Sequence, residues 1–339
     1  SPSSARYYVE SLRSLWARRQ VRAIALDALN DVRDLSGEAF AAEVMRKLSL
    51  IETKRGRAIR PLGEACSELM EVFERSYKGE TISVPSWPTG FNRLDGLTGG
   101  IAAGYLTVIG ARPSVGKTAL MCALADNLAA HGIPVGIFEL EDEERTLARR
   151  AIARRSKIAT TLLRGAGSAL REDHWARLTD PALWRTFEQY PIFVDDTHGL
   201  NANEVCARMR RWTREKGIRV WFLDHLLELR FPGRKDSRRD VEIGEALAQI
   251  RDTAKELQTG IVIMHQLNRD LERRANPTPT LADLKDSGDI EAKARLVIFL
   301  TRDKSDFILD VAKNSDGPRG QVVLNWLEDS MGIEDRRSA

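Results

Sequence analysis

The run GARPSVGKT, Gly110 to Thr118, fits the spacing G-x-x-x-x-G-K-[ST], and its surroundings decide the fold. Before it stands a short apolar run, Tyr105 to Ile109, which predicts a buried strand. After it Leu120, Met121, Leu124 and Leu128 recur at helical spacing from Lys117 onward. A strand that ends in a glycine-rich turn and passes straight into a helix turns several free backbone N–H groups toward one point, an arrangement that holds phosphate. Gly110, Arg112, Pro113, Ser114, Val115, Gly116, Lys117, Thr118 and Ala119 are therefore the expected nucleotide contacts. Gly116 lets the backbone close around the phosphates, Lys117 reaches the β and γ phosphates of ATP, and Thr118 offers a hydroxyl to Mg2+.

Further apolar runs suited to buried strands follow at Val135 to Phe138, Ile192 to Val194, Val220 to Leu223, Ile261 to Met264 and Leu296 to Leu300, with helical patterns between the early ones. That alternation predicts an α/β fold, a mostly parallel sheet flanked by helices on both faces. Near the end the rhythm shortens: Phe307 to Ala312 and Gln321 to Leu327 flank the turn Asn314 to Gly320, which predicts an antiparallel hairpin at the sheet edge.

A phosphate site of this kind needs an acid at a neighbouring strand end to hold hydrated magnesium, and Asp224 closes the run VWFLD. Hydrolysis also needs a group that orients water. The stretch FELEDEE offers Glu139, Glu141, Asp142, Glu143 and Glu144; by strand-end position Glu139 and Glu141 are equal, and the later acids suit the first turn of the next helix. Gln266, just after the strand IVIM, is placed to sense the γ phosphate, whereas His265 reads as a packed histidine with no metal partner at ligand spacing.

The chain has 339 residues with 52 basic and 49 acidic side chains, a formal charge of +3, so any nucleic-acid surface must be local. Two segments qualify: RFPGRKDSRRD, with Arg230, Arg234, Lys235, Arg238 and Arg239, and LADLKDSGD, with Lys285, Asp286, Ser287 and Gly288 in a turn. Basic side chains and free N–H groups at such a turn suit a sugar-phosphate backbone without reading sequence, although runs of this kind also serve as solvated loops. Cys66, Cys122 and Cys206 form no C-x-x-C pair and read as buried, reduced thiols of a cytoplasmic protein. No apolar run reaches the eighteen or so residues of a membrane span. The start, SPSSARYYVE, has neither a secretory core nor an initiator Met and is expected to belong to a fragment or a processed chain. Residues 1–83 show amphipathic helical patterns at Tyr8 to Leu29, Gly37 to Leu50 and Leu62 to Tyr77, a linker or docking region ahead of the α/β domain over 84–339.

Several separated blocks together resemble the C-terminal motor domain of the DnaB family of replicative DNA helicases: PTGFNRLDGLTGG, GARPSVGKTAL, the F-x-L-E element at Phe138 to Glu141, the DDT at Asp195 to Thr197, Asp224, QLNR at Gln266 to Arg269, and LKDSGDIEAKARLVIFLTRD from Leu284 to Asp303. The resemblance covers the chain from about Val84 onward, and Ser4 to about Leu29 is similar to the family's linker helix, with the N-terminal collar expected to be absent. It implies a RecA-like P-loop NTPase core that hydrolyses ATP with Mg2+, single-stranded DNA in the channel of a hexameric ring, and a helicase loader or primase as partner. It selects Glu141 as the residue that polarises water, with Gln266 as γ-phosphate sensor. Lys285, Asp286, Ser287 and Gly288 would face DNA.

The same family places a lysine and an arginine on a late hairpin, in the pattern K-Q-R-N-G-P, that reaches a neighbouring subunit's nucleotide. Here the hairpin reads KNSDGPRG: Lys313 matches, while Ser315 stands in the arginine position, with Arg319 or Arg302 as replacements. DHLL at Asp224 to Leu227 replaces the usual D-Y-L-Q, and Arg295 stands where the family often has an acid. These departures point to a phage, plasmid or mobile-element helicase. They also leave open a RecA-like DNA-binding ATPase or loading factor that does not unwind processively, while a metabolic P-loop kinase lacks its lid and acceptor-pocket signature here.

Overall fold

The computed structural model describes residues 19–27, 61–79, 86–164, 170–231, 239–268, 271, 274 and 278–336. The chain separates into two compact units, Ser1–Ile82 and Ser83–Ala339. In the first, residues 19–27 are helical and a second helix spans Leu62–Tyr77. The helical pattern at Gly37 to Leu50 and the remainder of Tyr8 to Leu29 lie outside the described residues.

The second unit is built on a nine-stranded sheet in the order β11-β10-β9-β8-β3-β7-β6-β4-β5, with a separate antiparallel pair of β1 (Ser86–Trp87) and β2 (Ile101–Ala102). Here β3 is Leu106–Ala111, β4 Val135–Glu139, β5 Ile192–Asp195, β6 Val220–Asp224, β7 Gly260–Gln266, β8 Leu296–Asp303, β9 Asp306–Asn314, β10 Gly320–Leu327 and β11 Gly332–Asp335. From β8 through β5 neighbouring strands run parallel, and β8, β9, β10 and β11 are antiparallel to one another in turn. The difference is written in the burial. Every residue of β3, β4 and β6 is buried, because helices cover both faces; β9 alternates buried and half-buried positions, because only one face is covered.

Two cores result. One packs the phosphate-loop helix Lys117–Ala130, through Leu120, Leu124 and Leu128, against Ile109, Phe222, Val262 and Ile298. The other packs the helices Ala202–Lys216 and Arg239–Leu257, through Val205, Met209, Leu247 and Ile250, against Val108, Leu223, Ile263 and Phe299. Local chemistry sets the helix ends: Asn201 and Glu204 cap one another's backbone at the start of Ala202–Lys216, and Gly217 closes it in the left-handed conformation. Close packing fixes Gly136, where a Cβ would run into the ring of Trp221, itself stacked on Phe138 at 4.9 Å. The described helices include none long and apolar enough to cross a membrane. The expectation of three buried thiols holds only for Cys206: Cys122 is half-buried, and Cys66 is exposed, since the described residues leave most of its helix uncovered.

Candidate functional site

The carboxyl ends of β3, β7, β6 and β4 form one row. Gly110 and Ala111 pair with His265 and Gln266, Met264 pairs with Asp224, and Asp224 pairs with Glu139. In open parallel sheets ligands gather in the crevice outside such strand ends, because the loops and helix N-termini converge there. Gly116 opens the helix Lys117–Ala130 with φ at 119°, a conformation other residues avoid, and a Cβ on it would stand 2.9 Å from the ring of Phe307.

Asp224 is fully buried and is shared by two neighbours from the phosphate loop. Lys117 Nζ lies 2.8 Å from its Oδ1, and the Thr118 hydroxyl donates to its Oδ2 at 2.8 Å. A buried carboxylate is expensive unless paired, so these contacts explain how an aspartate is tolerated in the core. Lys117 Nζ also lies 3.9 Å from Glu141 Oε2. Thr118 and Asp224 therefore present two hard oxygens side by side. That donor set fits Mg2+, which takes one or two protein ligands and fills its remaining positions with water and phosphate oxygen. No cluster of three or more His, Cys, Asp or Glu side chains suited to a metal occurs among the described residues.

Glu139 and Glu141, equal in sequence, stand in opposite environments. Glu139 is 1% exposed; its Oε1 accepts the backbone N–H of Asp142 at 3.1 Å and of Glu141 at 3.4 Å. Burial, then the charge of Asp224, push its carboxyl up to about 7. The Glu141 side chain is 53% exposed, with His225 Nε2 3.7 Å from its Oε2. Glu144 begins the helix Glu144–Ser156, as its sequence context predicts, and Asp196 accepts its backbone N–H at 3.0 Å. His265 is buried, and burial followed by the nearby His225 and Lys117 pushes its pKa down to about 4, so it is a neutral packed ring.

Gln266 ends β7, half-buried and level with Ala111. The next residues knit this strand end to its neighbours: Leu267 N–H donates to Ala111 O at 3.0 Å, Arg112 Nη1 donates to Leu267 O at 2.7 Å, and Asn268 N–H donates to Asp283 O at 3.4 Å. Asp283, buried, accepts the Thr280 N–H at 2.7 Å and Arg274 Nη1 at 3.0 Å. Burial alone would raise its pKa; these donors outweigh that and hold it below the usual value. Lys285, Asp286 and Ser287 lie on the 3-10 segment Leu281–Ser287, and Gly288 opens the helix Gly288–Lys293. Buried Leu284 and Ile290 bracket them, while the side chains of 285–289 lie outside the described residues. Arg234, Lys235, Arg238 and Arg269 also lie outside that description.

The structure does not bring Lys313 to this row. Lys313 pairs with Val297 and Val297 with Val108, near the start of β3, whereas Ala111 at its end is level with Leu300 and Leu309. The antiparallel turn thus lies at the opposite end of the sheet from the phosphate loop of its own chain. There Lys313 Nζ donates to Glu291 O at 2.7 Å, Ser315 N–H donates to Arg295 O at 3.0 Å, and the Arg295 guanidinium bonds Asp316 while covering the Tyr105 ring at 4.2 Å. Arg319 is exposed on this same turn. Arg302 belongs to the other end: it lies 5.3 Å over the Trp326 ring, which stacks on Phe307 beside Gly116.

Two blocks noted in the sequence are structural. Asp95 of PTGFNRLDG accepts the Thr89 N–H and hydroxyl, both at 2.7 Å, and Asn127 of the phosphate-loop helix donates to Thr89 O at 3.0 Å. Asp195 of the DDT block is ion-paired with Arg208 at 2.6 Å. Sequence reasoning did not single out His225, whose position directly after the strand-end acid was the available signal, nor the bond by which Arg112, expected at the nucleotide, holds Leu267 O.

The family profile described as "DnaB-like helicase C terminal domain" matches residues 86–335. The replicative DNA helicase DnaC of Bacillus subtilis (strain 168) is 30% identical over 312 residues, covering 88% of this chain and 66% of that protein. The replicative DNA helicase DnaB of Pasteurella multocida (strain Pm70) is 32% identical over 311 residues, covering 87% and 64%. The chain thus spans just under two thirds of the length of these curated relatives. Among solved structures, an ATPase domain superposes with a TM-score of 0.75 at 25% identity, over 82% of this chain and 100% of that one. A DnaB-like replicative helicase, described with its interactions with primase, superposes at 0.78 and 24% identity over 99% and 80%, a likeness of fold. With a RecA-like sheet, a phosphate loop at its centre and a profile match across nearly all of the second unit, the chain belongs to the DnaB-like helicase C-terminal domain family.

Proposed function

We propose that this chain is the motor of a replicative-type DNA helicase, hydrolysing ATP to move along single-stranded DNA and separate strands. One observation carries the reading: Lys117, Thr118, Asp224 and Glu141 meet, with Lys117 Nζ 2.8 Å from Asp224 and 3.9 Å from Glu141, at the end of a parallel sheet that presents a phosphate-binding turn. Residues 84–339 would be the motor domain and residues 1–83 the linker or docking region. Backbone N–H groups of Gly110 to Ala119 and the Lys117 ammonium would hold the triphosphate. Thr118 and Asp224 would hold Mg2+, which when bound neutralises phosphate charge. Glu141, exposed enough to meet water, would orient it toward the γ phosphorus; the new P–O bond forms as the bond to the β-phosphate oxygen breaks, giving ADP and phosphate, and the water's proton passes by way of the carboxylate to solvent. Gln266 would register the γ phosphate, and the backbone bonds from Leu267 and Asn268 to Ala111 and Asp283 would carry its displacement toward Lys285, Asp286, Ser287 and Gly288 on DNA. Arg234 and Lys235 would add phosphate contacts.

Lys313 would act in trans, on the nucleotide of a neighbouring subunit in a hexameric ring, since its own phosphate loop is at the other end of the sheet. Arg319 shares that turn and Arg302 does not, which favours Arg319 as the replacement for the arginine missing at Ser315. A helicase loader or primase would be the protein partner, and the cytoplasm the compartment. A second reading, a loading or assembly factor that binds DNA without processive unwinding, is favoured by Ser315 itself. ATP turnover with and without single-stranded DNA, on material of measured mass and followed by strand displacement on a fork, separates them. Stimulated turnover and displacement by a hexamer support the motor; nucleotide-dependent DNA binding without displacement supports the second reading, and indifference to DNA defeats both.

A further inference from the structure

The turn that follows β4 is pinned by three consecutive backbone donors. Leu140 N–H donates to Asp224 O at 2.7 Å, and the N–H groups of Glu141 and Asp142 both turn inward to Glu139 Oε1, at 3.4 and 3.1 Å. The second oxygen, Oε2, is buried and without a hydrogen-bond partner among the described residues. A carboxyl left half-satisfied in the core costs stability, so its presence calls for a return. Meanwhile the Glu141 carboxylate is half in solvent and touched only loosely, with His225 Nε2 at 3.7 Å and Lys117 Nζ at 3.9 Å. Neither contact is close enough to fix a side chain, so its location depends on the backbone beneath it.

We propose that Glu139 is the positioning residue for Glu141: its buried carboxyl gathers the N–H groups of Glu141 and Asp142 and so sets where the water-orienting carboxylate stands relative to Lys117 and Asp224. This rests on the reading of Glu141 given above. Glu139 itself does not meet the reacting atoms, being buried beneath the turn. A glutamine of the same length keeps a side-chain oxygen that accepts both N–H groups. Leucine fills a similar volume and accepts nothing.

Steady-state ATP turnover and binding of a fluorescent ATP analogue, measured on the full chain with E139L, E139Q and E141Q, test the inference. E139L should lower kcat roughly tenfold or more, since a small misplacement of a catalytic group has that effect. Analogue affinity should stay within about twofold, and E139Q should recover most of the lost kcat. Wild-type kcat in E139L, or kcat and affinity falling together in E139L and E139Q alike, overturns the role of Glu139. Full turnover in E141Q overturns instead the reading of Glu141. Should E139L fail to fold, amide exchange decides: slow exchange of the Glu141 and Asp142 amides in the wild type and E139Q supports the proposal, and unprotected amides in the wild type overturn it.

Discussion

At the carboxyl ends of β3, β7, β6 and β4, Lys117, Thr118, Asp224 and Glu141 find one another within a single chain; at the opposite end of the sheet, beside the β9–β10 turn, Lys313 bonds Glu291 O and Ser315 bonds Arg295 O. The first region is assembled by parallel strands buried on both faces, so its side chains are aligned by register and the covering helices. The second is a turn on the half-covered antiparallel edge, and the groups it displays stand away from the phosphate loop of their own chain. A phosphate loop can thus be judged from one chain, whereas the worth of the turn depends on what stands opposite it.

Removing the ammonium at the centre of the first region should have the largest effect. Lys117→Ala is expected to reduce ATP turnover by about 10³-fold, on the scale of losing a preorganised charge at a reacting group. It should also lower Tm, because Asp224 remains buried without its cation, a cost of about 3 kcal/mol. Turnover above a tenth of wild type would mean that this strand-end row is not the hydrolytic site.

The turn should respond only in an assembled oligomer. Ser315→Arg is expected to raise turnover by about tenfold or more, and Arg319→Ala to lower it by a comparable factor, with nucleotide affinity of dilute, dissociated chains unchanged in both. Equal effects in dissociated chains would erase the distinction between the two ends. A smaller effect belongs to Lys285→Ala: weaker single-stranded DNA binding, with the slope of log affinity against log salt reduced by about 0.7 and ATP binding unaltered. An unchanged salt slope would remove Lys285 from the DNA surface.

The last is an effect on stability, not on turnover, within the first region. Glu139 carries a folded pKa of about 7 against an ordinary 4.5, so the folded state holds its proton more tightly than the unfolded chain does. Its favourable contribution is complete below the ordinary value and is lost as pH rises from there through the folded value. In nucleotide-free buffer, Glu139→Gln should therefore flatten the fall in stability across that window and leave the variant more stable than wild type at alkaline pH, by up to about 3 kcal/mol. Parallel pH profiles of urea midpoints for the two proteins would contradict the environment assigned to Glu139.

Much of this was legible in the residues. The strand before Gly110, the helix from Lys117, the apolar runs closing in Asp224 and preceding His265, and the late hairpin all carry local signals: periodicity, chain-reversing glycines and the spacing of the phosphate loop. The short strands β1, β2 and β11 were not expected from sequence, being too brief for a periodic pattern and formed only by their partners. Nor did strand-end position divide Glu139 from Glu141, two residues apart and alike in chemistry; the family resemblance selected Glu141, but the burial of Glu139 was not expected.

By itself the sequence determined the α/β architecture, the phosphate loop and the acid that accompanies it, because each depends on the order and spacing of neighbouring residues. Tertiary structure alone decided that Glu139 lies beneath the turn with a raised pKa while Glu141 reaches water, and that Lys313 and Arg319 stand away from their own phosphate loop while Arg302 stands beside it. The physical reason is common to both. Burial and strand register are set by which distant segments pair, and no local pattern in the chain encodes the far side of a sheet.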